Sequence, residues 1–278
     1  GSMLYASFSQ GFKSGGFSAA DDGEPGGYIV GQVPPPGVVF TTPNADFEFE
    51  DETVDAFEVG GKHEFANGAV RFNWAAFYTE YDNLQTTVFK GVGFSVKNAA
   101  ASEVKGVEIE SQWQATDNLR LGLNLAYLDA TYTDYKDGPC TAIQLDQDSF
   151  CGTPQGTLSN DLSGKPTLFA SDWTGSFLFD YRRPIGDMAM FVSGEVNYRG
   201  DFSSAGDNDP LDDIDAYTKV NLRIGLEITE NLEVMAYGRN IFDEVAYVQS
   251  FDTPVLTGSH TSFVDESAVF GGRIKYSF

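Results

Sequence analysis

From Thr218 to Ile228 the chain alternates without a break. Val220, Leu222, Ile224, Leu226 and Ile228 share one parity, and Lys219, Asn221, Arg223, Gly225 and Glu227 share the other. Successive side chains of a strand point to opposite faces, so this segment separates an apolar face from a charged one. The same period of two recurs elsewhere. Val70, Phe72, Trp74, Ala76 and Tyr78 oppose Arg71, Asn73, Ala75 and Thr79; Val107, Ile109 and Trp113 oppose Glu108, Glu110, Gln112 and Gln114. Leu119, Leu121, Leu123, Leu125 and Tyr127 oppose Arg120, Gly122, Asn124 and Ala126. Trp173, Gly175, Phe177, Phe179 and Tyr181 oppose Thr174, Ser176, Asp180 and Arg182, and Phe270, Gly272, Ile274, Tyr276 and Phe278 oppose Arg273, Lys275 and Ser277. The pattern predicts strands over 3–12, 52–65, 69–89, 94–115, 119–135, 167–182, 187–200, 214–229, 231–242 and 266–278. That is roughly ten, an even number, as in single-chain bacterial barrels.

The connections alternate in length. Ala66-Asn67-Gly68, Thr116-Asp117-Asn118, Pro184-Ile185-Gly186 and Glu230-Asn231 are tight turns built from turn-forming residues. On the other side, 13–50, 136–166, 201–213 and 243–265 are long, and only Lys90-Gly91-Val92-Gly93 is short. Short turns on one side and long loops on the other are the asymmetry of an outer-membrane barrel, with turns periplasmic and loops exterior. The expected fold is therefore all-β: an antiparallel transmembrane β-barrel with short periplasmic turns and long extracellular loops. A soluble β-sandwich alternates as well. Against it, the faces opposite the Leu, Phe and Trp rows carry Arg and Glu at mid-strand. In addition, Tyr78, Trp113, Tyr127, Tyr181 and Tyr198 sit near strand ends, where membrane girdles place aromatics.

Composition narrows the reading further. A formal charge of −24 excludes a nucleic-acid partner, which would need a basic face. No run approaches the ~20 apolar residues of a membrane helix, but a barrel strand needs only about 9–11 of alternating polarity. Gly1-Ser2 ahead of Met3 reads as a cloning remnant, leaving 3–278 as one barrel domain. Cys140 and Cys151, flanked by Gly138, Pro139 and Gly152, suit a short loop disulfide in an oxidising compartment, the alternative being two unpaired thiols.

His63 and His260 are the only histidines, and the topology puts them at opposite ends, so they cannot form one catalytic site. Ser259 beside His260 is a sequence neighbour rather than part of a triad. An outer-membrane protease or lipase is thereby disfavoured and no enzyme activity is expected. In the acidic segment 207–215, Asp207, Asp209, Asp212 and Asp213 could gather a Ca²⁺ ion, the one cofactor the sequence suggests, although the segment lacks an EF-hand's Gly and closing Glu. The alternative is a solvated acidic loop. Asp21, Asp22, Glu24, Asp46, Glu48 and Glu50 add negative charge to the first long loop, where Pro34-Pro35-Pro36 reads as a stiff spacer. Such loops are expected to repel anionic lipopolysaccharide unless divalent cations bridge them, and to favour cationic solutes, the alternative being simple solubility of exposed loops.

Several blocks resemble the C-terminal part of TonB-dependent outer-membrane receptors. They are Leu4-Tyr5-Ala6-Ser7-Phe8-Ser9-Gln10-Gly11-Phe12-Lys13-Ser14-Gly15-Gly16-Phe17, Glu52-Thr53-Val54-Asp55-Ala56-Phe57-Glu58-Val59-Gly60, Asn98-Ala99 with Val104-Lys105-Gly106-Val107-Glu108-Ile109-Glu110, and Gly238-Arg239-Asn240-Ile241-Phe242-Asp243-Glu244. The end carries the terminal aromatic and alternating apolar residues of an outer-membrane insertion signal, at Phe270, Ile274, Tyr276 and Phe278. The resemblance implies a receptor for siderophores, vitamins or saccharides, set in outer-membrane lipid and lipopolysaccharide and inserted by the barrel-assembly machinery. Family members also have a plug, an energy-coupling segment and a wider barrel. The chain is therefore expected to be a fragment or truncation, at most a passive pore or structural barrel by itself, with TonB a partner only where a plug is supplied.

Ten open strands would leave two unpaired edges in lipid. Two solutions are expected: the first strand closes on the last to give a narrow barrel, or a homodimer completes a larger one. In either case Arg71, Glu108, Glu110, Arg120, Glu195, Arg223, Glu227 and Arg273 face the lumen, and some of them could pair across it.

Overall fold

The computed structural model describes residues 1–17, 48–90, 93–147, 151, 160–253, 256 and 258–278. The first-loop acids Asp21, Asp22, Glu24 and Asp46, the Pro34–Pro36 run and the Gly91-Val92 link lie outside these residues. Ten strands form the main sheet: β1 (Ser2–Lys13), β2 (Glu52–Phe65), β3 (Val70–Lys90), β4 (Gly93–Thr116), β5 (Leu119–Asp134), β6 (Trp173–Ile185), β7 (Met188–Arg199), β8 (Tyr217–Thr229), β9 (Leu232–Arg239) and β10 (Val269–Tyr276). Each pairs antiparallel with its sequence neighbour, so the sheet is an uninterrupted meander. Four connections are tight. Ala66, Asn67 and Gly68 turn with φ of 51°, 56° and 87°, and Gly186 takes φ 61°, a left-handed region that glycine enters without steric cost. Thr116 and Thr229 hydroxyls accept from the Asn118 and Asn231 amides, satisfying the donors that leave the ladder.

Register turns the alternation of single strands into rows that cross the sheet. One row reads Lys62, Asn73, Glu110, Asn124, Ser176, Asn197, Lys219. The next reads His63, Phe72, Ser111, Leu123, Phe177, Val196, Val220. Two rows further the apolar face continues as Phe65, Val70, Trp113, Leu121, Phe179, Gly194, Leu222, Gly238, Phe270. A slip of one residue at any strand would break these rows, because every side chain would change face.

The two faces meet different surroundings. A concavity of about 680 Å³ is lined by Asn73, Glu108, Glu110, Asn124, Ser176 and Asn197, so the polar rows lie on the inner, concave side. On the other side Leu123 is 45 %, Ile224 50 % and Phe270 69 % exposed. No second sheet covers them: the remaining described sheets are two-stranded and belong to the loop end. The buried apolar residues are at the loop end as well, where Tyr132, Tyr135, Leu162 and Ala100 form the core cluster. A sandwich would bury its apolar rows against a partner sheet, so that alternative is overturned.

Along β8 the apolar stretch Val220–Ile228 covers about 26 Å at ~3.3 Å per residue. At a tilt of about 40° this is about 20 Å of axis, close to the ~25 Å apolar band of membrane barrels. At the loop end the band stops at the Tyr127–Trp173 ring pair, centroids 5.0 Å apart. On the same outer face, the next row carries Lys105, paired with Asp129 at 3.2 Å and Glu103 at 3.4 Å.

The structure corrects three expectations. Among the described residues β1 pairs only with β2 and β10 only with β9, so the ten strands stay an open sheet and closure into a narrow barrel is not seen. Strand β6 begins at Trp173 rather than 167. Phe169 there has φ 60°, its amide donates to the Ser203 carbonyl, and its ring packs near Phe202, so the apolar 167–170 run folds over the loop end instead of extending. The span 243–265 is not plain loop, because Tyr247–Asp252 and His260–Val264 form a hairpin with a bulge at Val248.

Candidate functional site

The concave wall carries rows of paired polar side chains. Asn73 donates to Glu110 at 3.1 Å, Asn124 to the Ser176 hydroxyl at 3.0 Å, and Arg120 to Asp180 at 2.9 Å. Several of the expected lumen charges find partners along the wall, most on an adjacent strand and Glu227 on Arg182 one strand further across. Arg71 pairs with Glu64 and Arg273 with Glu233, Asn221 donates to Glu195, Glu227 accepts from Arg182, and Glu108 and Glu110 line the concavity. Tyr5 reaches over Gly60 to donate to Glu58 at 2.6 Å, and any side chain at Gly60 would strike the Tyr5 ring. Most of these contacts are solvent-exposed, so water screens them and each is weak. Their value is a water-wetted wall of fixed polarity.

The loop end is built differently. Strand β5 runs out of the membrane-facing rows into a packed cap. Tyr132 and Tyr135 meet edge-to-face at 4.9 Å, and Leu162, 1 % exposed, is held by its amide donating to the Tyr135 carbonyl. Cys140 and Cys151 are joined by a disulfide, with Cα atoms 6.0 Å apart. Short strands Phe202–Ser203 and Asp213–Ile214 pair beside the Tyr247–Asp252 hairpin. The Ser204 hydroxyl donates to the Asp212 carbonyl at 2.7 Å and accepts from the Ser250 amide at 2.8 Å, stitching the two loops together.

Between those loops sits a buried acidic cluster. A ligand atom from each of Asp209, Asp212, Asp252 and His260 lies within 4.8 Å of the others. His260 Nδ1 is 3.0 Å from Asp212 Oδ1 and 3.6 Å from Asp252 Oδ1. Asp212 is completely buried, and its Oδ1 also accepts from the Ser250 hydroxyl at 2.5 Å. Burial pulls the His260 imidazole down in pKa, but the hydrogen bond to Asp212 and the charges of Asp212, Asp252 and Asp209 outweigh it and leave it raised. Burial pushes Asp207 up to about 7. Asp and His side by side do not make a hydrolase here, because the Ser250 hydroxyl donates to the carboxylate rather than to the imidazole.

Of the four acids singled out for Ca²⁺, Asp209 and Asp212 join this cluster. Asp207 is buried beside it and accepts from the Asp209 amide, while Asp213 is exposed and stands outside it. Asp252 and His260 were not expected there. Their signal lay in topology alone: both follow β9 on the side where β7 opens into the acidic segment. His63, at the turn end, accepts from the Trp74 indole at 3.2 Å, far along the strands from His260. Phe270, Ile274, Tyr276 and Phe278 are all exposed at the outer side of the edge strand.

The profile of the family described as TonB dependent receptor-like, beta-barrel matches residues 1–241. Among solved structures, the ferric yersiniabactin uptake receptor FyuA from Yersinia pestis is similar over 100 % of this chain and 35 % of its own, at 18 % identity and a TM-score of 0.70. The siderophore receptor PiuA from Acinetobacter baumannii is similar over 99 % and 34 %, at 15 % identity and 0.67. The ferripyoverdine receptor of Pseudomonas aeruginosa, solved with ferripyoverdine bound, is similar over 100 % and 31 %, at 13 % identity and 0.61. At these identities the likeness is one of fold. The chain spans about a third of the length of these receptors.

Proposed function

Because this chain belongs to the TonB-dependent receptor-like β-barrel family of the bacterial outer membrane, whose members are non-enzymatic transporters, we propose that it forms one sector of a closed receptor barrel. In that barrel its concave polar rows line the passage and its loop end faces the exterior. The observation that carries this reading is the cross-strand row Lys62–Lys219, polar at each of the seven strands from β2 to β8 and flanked by a mainly apolar row that no other described sheet covers. Lipid does not tolerate the open edges at β1 and β10. The strands that cover them come from the remainder of a receptor chain, as the one-third coverage of the solved receptors suggests, rather than from a second copy. One chain per detergent-solubilised particle is expected, and two would favour the homodimer.

The solute class is a siderophore complex, a vitamin or a saccharide taken up through the completed barrel, with TonB as the energy source acting through a plug. The insertion residues Phe270, Ile274, Tyr276 and Phe278 address the assembly machinery, and the apolar band meets lipid and, in the outer leaflet, lipopolysaccharide. The test is uptake of labelled ferric siderophores, cobalamin and oligosaccharides by cells bearing the receptor with Glu110→Arg and Asn124→Arg in its wall. Uptake of one class is expected to fall several-fold at unchanged outer-membrane abundance. Unchanged uptake of every class that the parent imports would contradict the proposal.

A further inference from the structure

The cluster at the loop end has a feature that its hydrogen bonds do not explain. Among the described residues, Asp209 Oδ2, Asp212 Oδ2, Asp252 Oδ1 and His260 Nε2 are each buried and have no hydrogen-bond partner. Asp212 is fully buried, so its free oxygen has no access to water. An unpaired buried carboxylate costs several kcal/mol, and buried polar atoms are ordinarily satisfied. Here the orphaned atoms belong to the same four residues whose ligand atoms converge within 4.8 Å.

The other oxygen of each carboxylate is anchored. Asp209 Oδ1 accepts from the Leu211 amide at 2.9 Å, Asp212 Oδ1 from the Ser250 hydroxyl at 2.5 Å, and Asp252 Oδ2 from the Ala142 amide at 3.0 Å. One oxygen fixed by the protein and one left free is the arrangement by which outer contacts orient metal ligands. We propose that Asp209, Asp212, Asp252 and His260 bind one divalent transition-metal ion that clamps the exterior loops together.

The donor set decides the class of ion. Ca²⁺ and Mg²⁺ take oxygen ligands almost exclusively, whereas an imidazole beside carboxylates suits Zn²⁺, Mn²⁺ or Fe²⁺. The ligand that turns the site away from Ca²⁺ is therefore His260. The bound ion offsets two of the three carboxylate charges and draws the four donors inward. It ties the β7–β8 loop, which carries Asp209 and Asp212, to the β9–β10 hairpin, which carries Asp252 and His260. Through the Ala142 amide it also holds the β5–β6 loop.

The test uses the protein extracted from outer membranes into detergent micelles and stripped with EDTA. It is then equilibrated separately with Zn²⁺, Mn²⁺ and Ca²⁺, and metal per chain is measured by mass spectrometry. Because lipopolysaccharide also holds divalent ions, the double variant Asp212→Asn/His260→Gln sets the background. About one Zn²⁺ or Mn²⁺ per chain above that background is expected, with Ca²⁺ at least ~10-fold weaker. His260→Gln alone is expected to weaken Zn²⁺ by at least ~10-fold, while Asp213→Asn leaves it unchanged. Asp252→Asn, at a partly exposed position, serves if Asp212→Asn disturbs folding. In the parent, EDTA is expected to speed protease cleavage within 200–216 and 247–264, with Zn²⁺ restoring resistance. No stoichiometric transition metal above background, Ca²⁺ bound as tightly as Zn²⁺, or binding indifferent to His260→Gln would each overturn the proposal.

Discussion

The strand wall and the loop end of this chain solve the burial problem in opposite ways. In the wall, Leu123, Phe177 and Ile224 stand exposed on the outer face with none of the described residues packed over them, and Glu110, Asn124 and Ser176 line the concavity. At the loop end the order reverses to that of an ordinary soluble protein, with Leu162 and Tyr135 buried. One chain with two opposite arrangements implies two surroundings. The wall is arranged for hydrocarbon outside and water inside, and the cap for water outside. The boundary is marked on the outer face, where the Tyr127–Trp173 pair gives way to the Lys105–Asp129 ion pair.

The comparison can be broken most directly in the cap. Leu162→Ala opens a cavity beside Tyr135 and is expected to cost about 2–5 kcal/mol. Hydrogen exchange should quicken around Tyr132–Tyr135 and Leu162 while the β4–β7 amides stay protected; equal loss in both regions would mean that wall and cap are not separate. Next comes the wall. Leu123→Arg is expected to cost about 2–4 kcal/mol near the centre of the band, read by urea unfolding in lipid, whereas Ser176→Arg on the inner face changes little. Equal penalties on both faces would remove the distinction between them.

Smaller still, Arg120→Gln breaks the exposed pair with Asp180 and is expected to cost under about 1 kcal/mol. A larger loss would show that the inner face is dry. Last, the hydrogen bond from Lys219 and the Glu266 amide hold the Asp265 carboxyl below its ordinary value. A depressed carboxylate contributes stability that is fully present above its unfolded pKa and is lost as pH falls through its folded one. Asp265→Asn is thus expected to cost under about 1 kcal/mol at neutral pH, a difference that shrinks below pH ~4. A difference that grows on acidification would contradict the assignment.

The wall was legible in the sequence because each strand repeats the same two-residue code. The span 52–65 agrees with β2 at both ends, and 119–135 differs from β5 by one residue. The cap was less legible because its contacts join distant segments. Leu168-Phe169-Ala170 looks like the start of a strand, but Phe169 turns into the left-handed region and packs on Phe202. The bulge at Val248 interrupts the period that would have revealed the Tyr247–Asp252 hairpin. The acidic segment pointed to Asp209 and Asp212, yet Asp252 and His260 are separated from them by whole strands. Which of the two expected solutions for the edges applies was not legible, because strand count alone does not fix curvature; among the described residues β1 and β10 do not pair.

The central claim is that the exposed apolar rows meet hydrocarbon. Single nitroxide labels placed in turn from Val220 to Ile228, in the protein reconstituted in bilayers, measure it by collision with oxygen and with a water-soluble nickel complex. The account predicts a two-residue alternation, with labels at 220, 222, 224, 226 and 228 favouring oxygen and those at 221, 223, 225 and 227 favouring nickel. Low collision rates with both agents at Leu222, Ile224 and Leu226 would mean that these side chains pack against protein, and would contradict it.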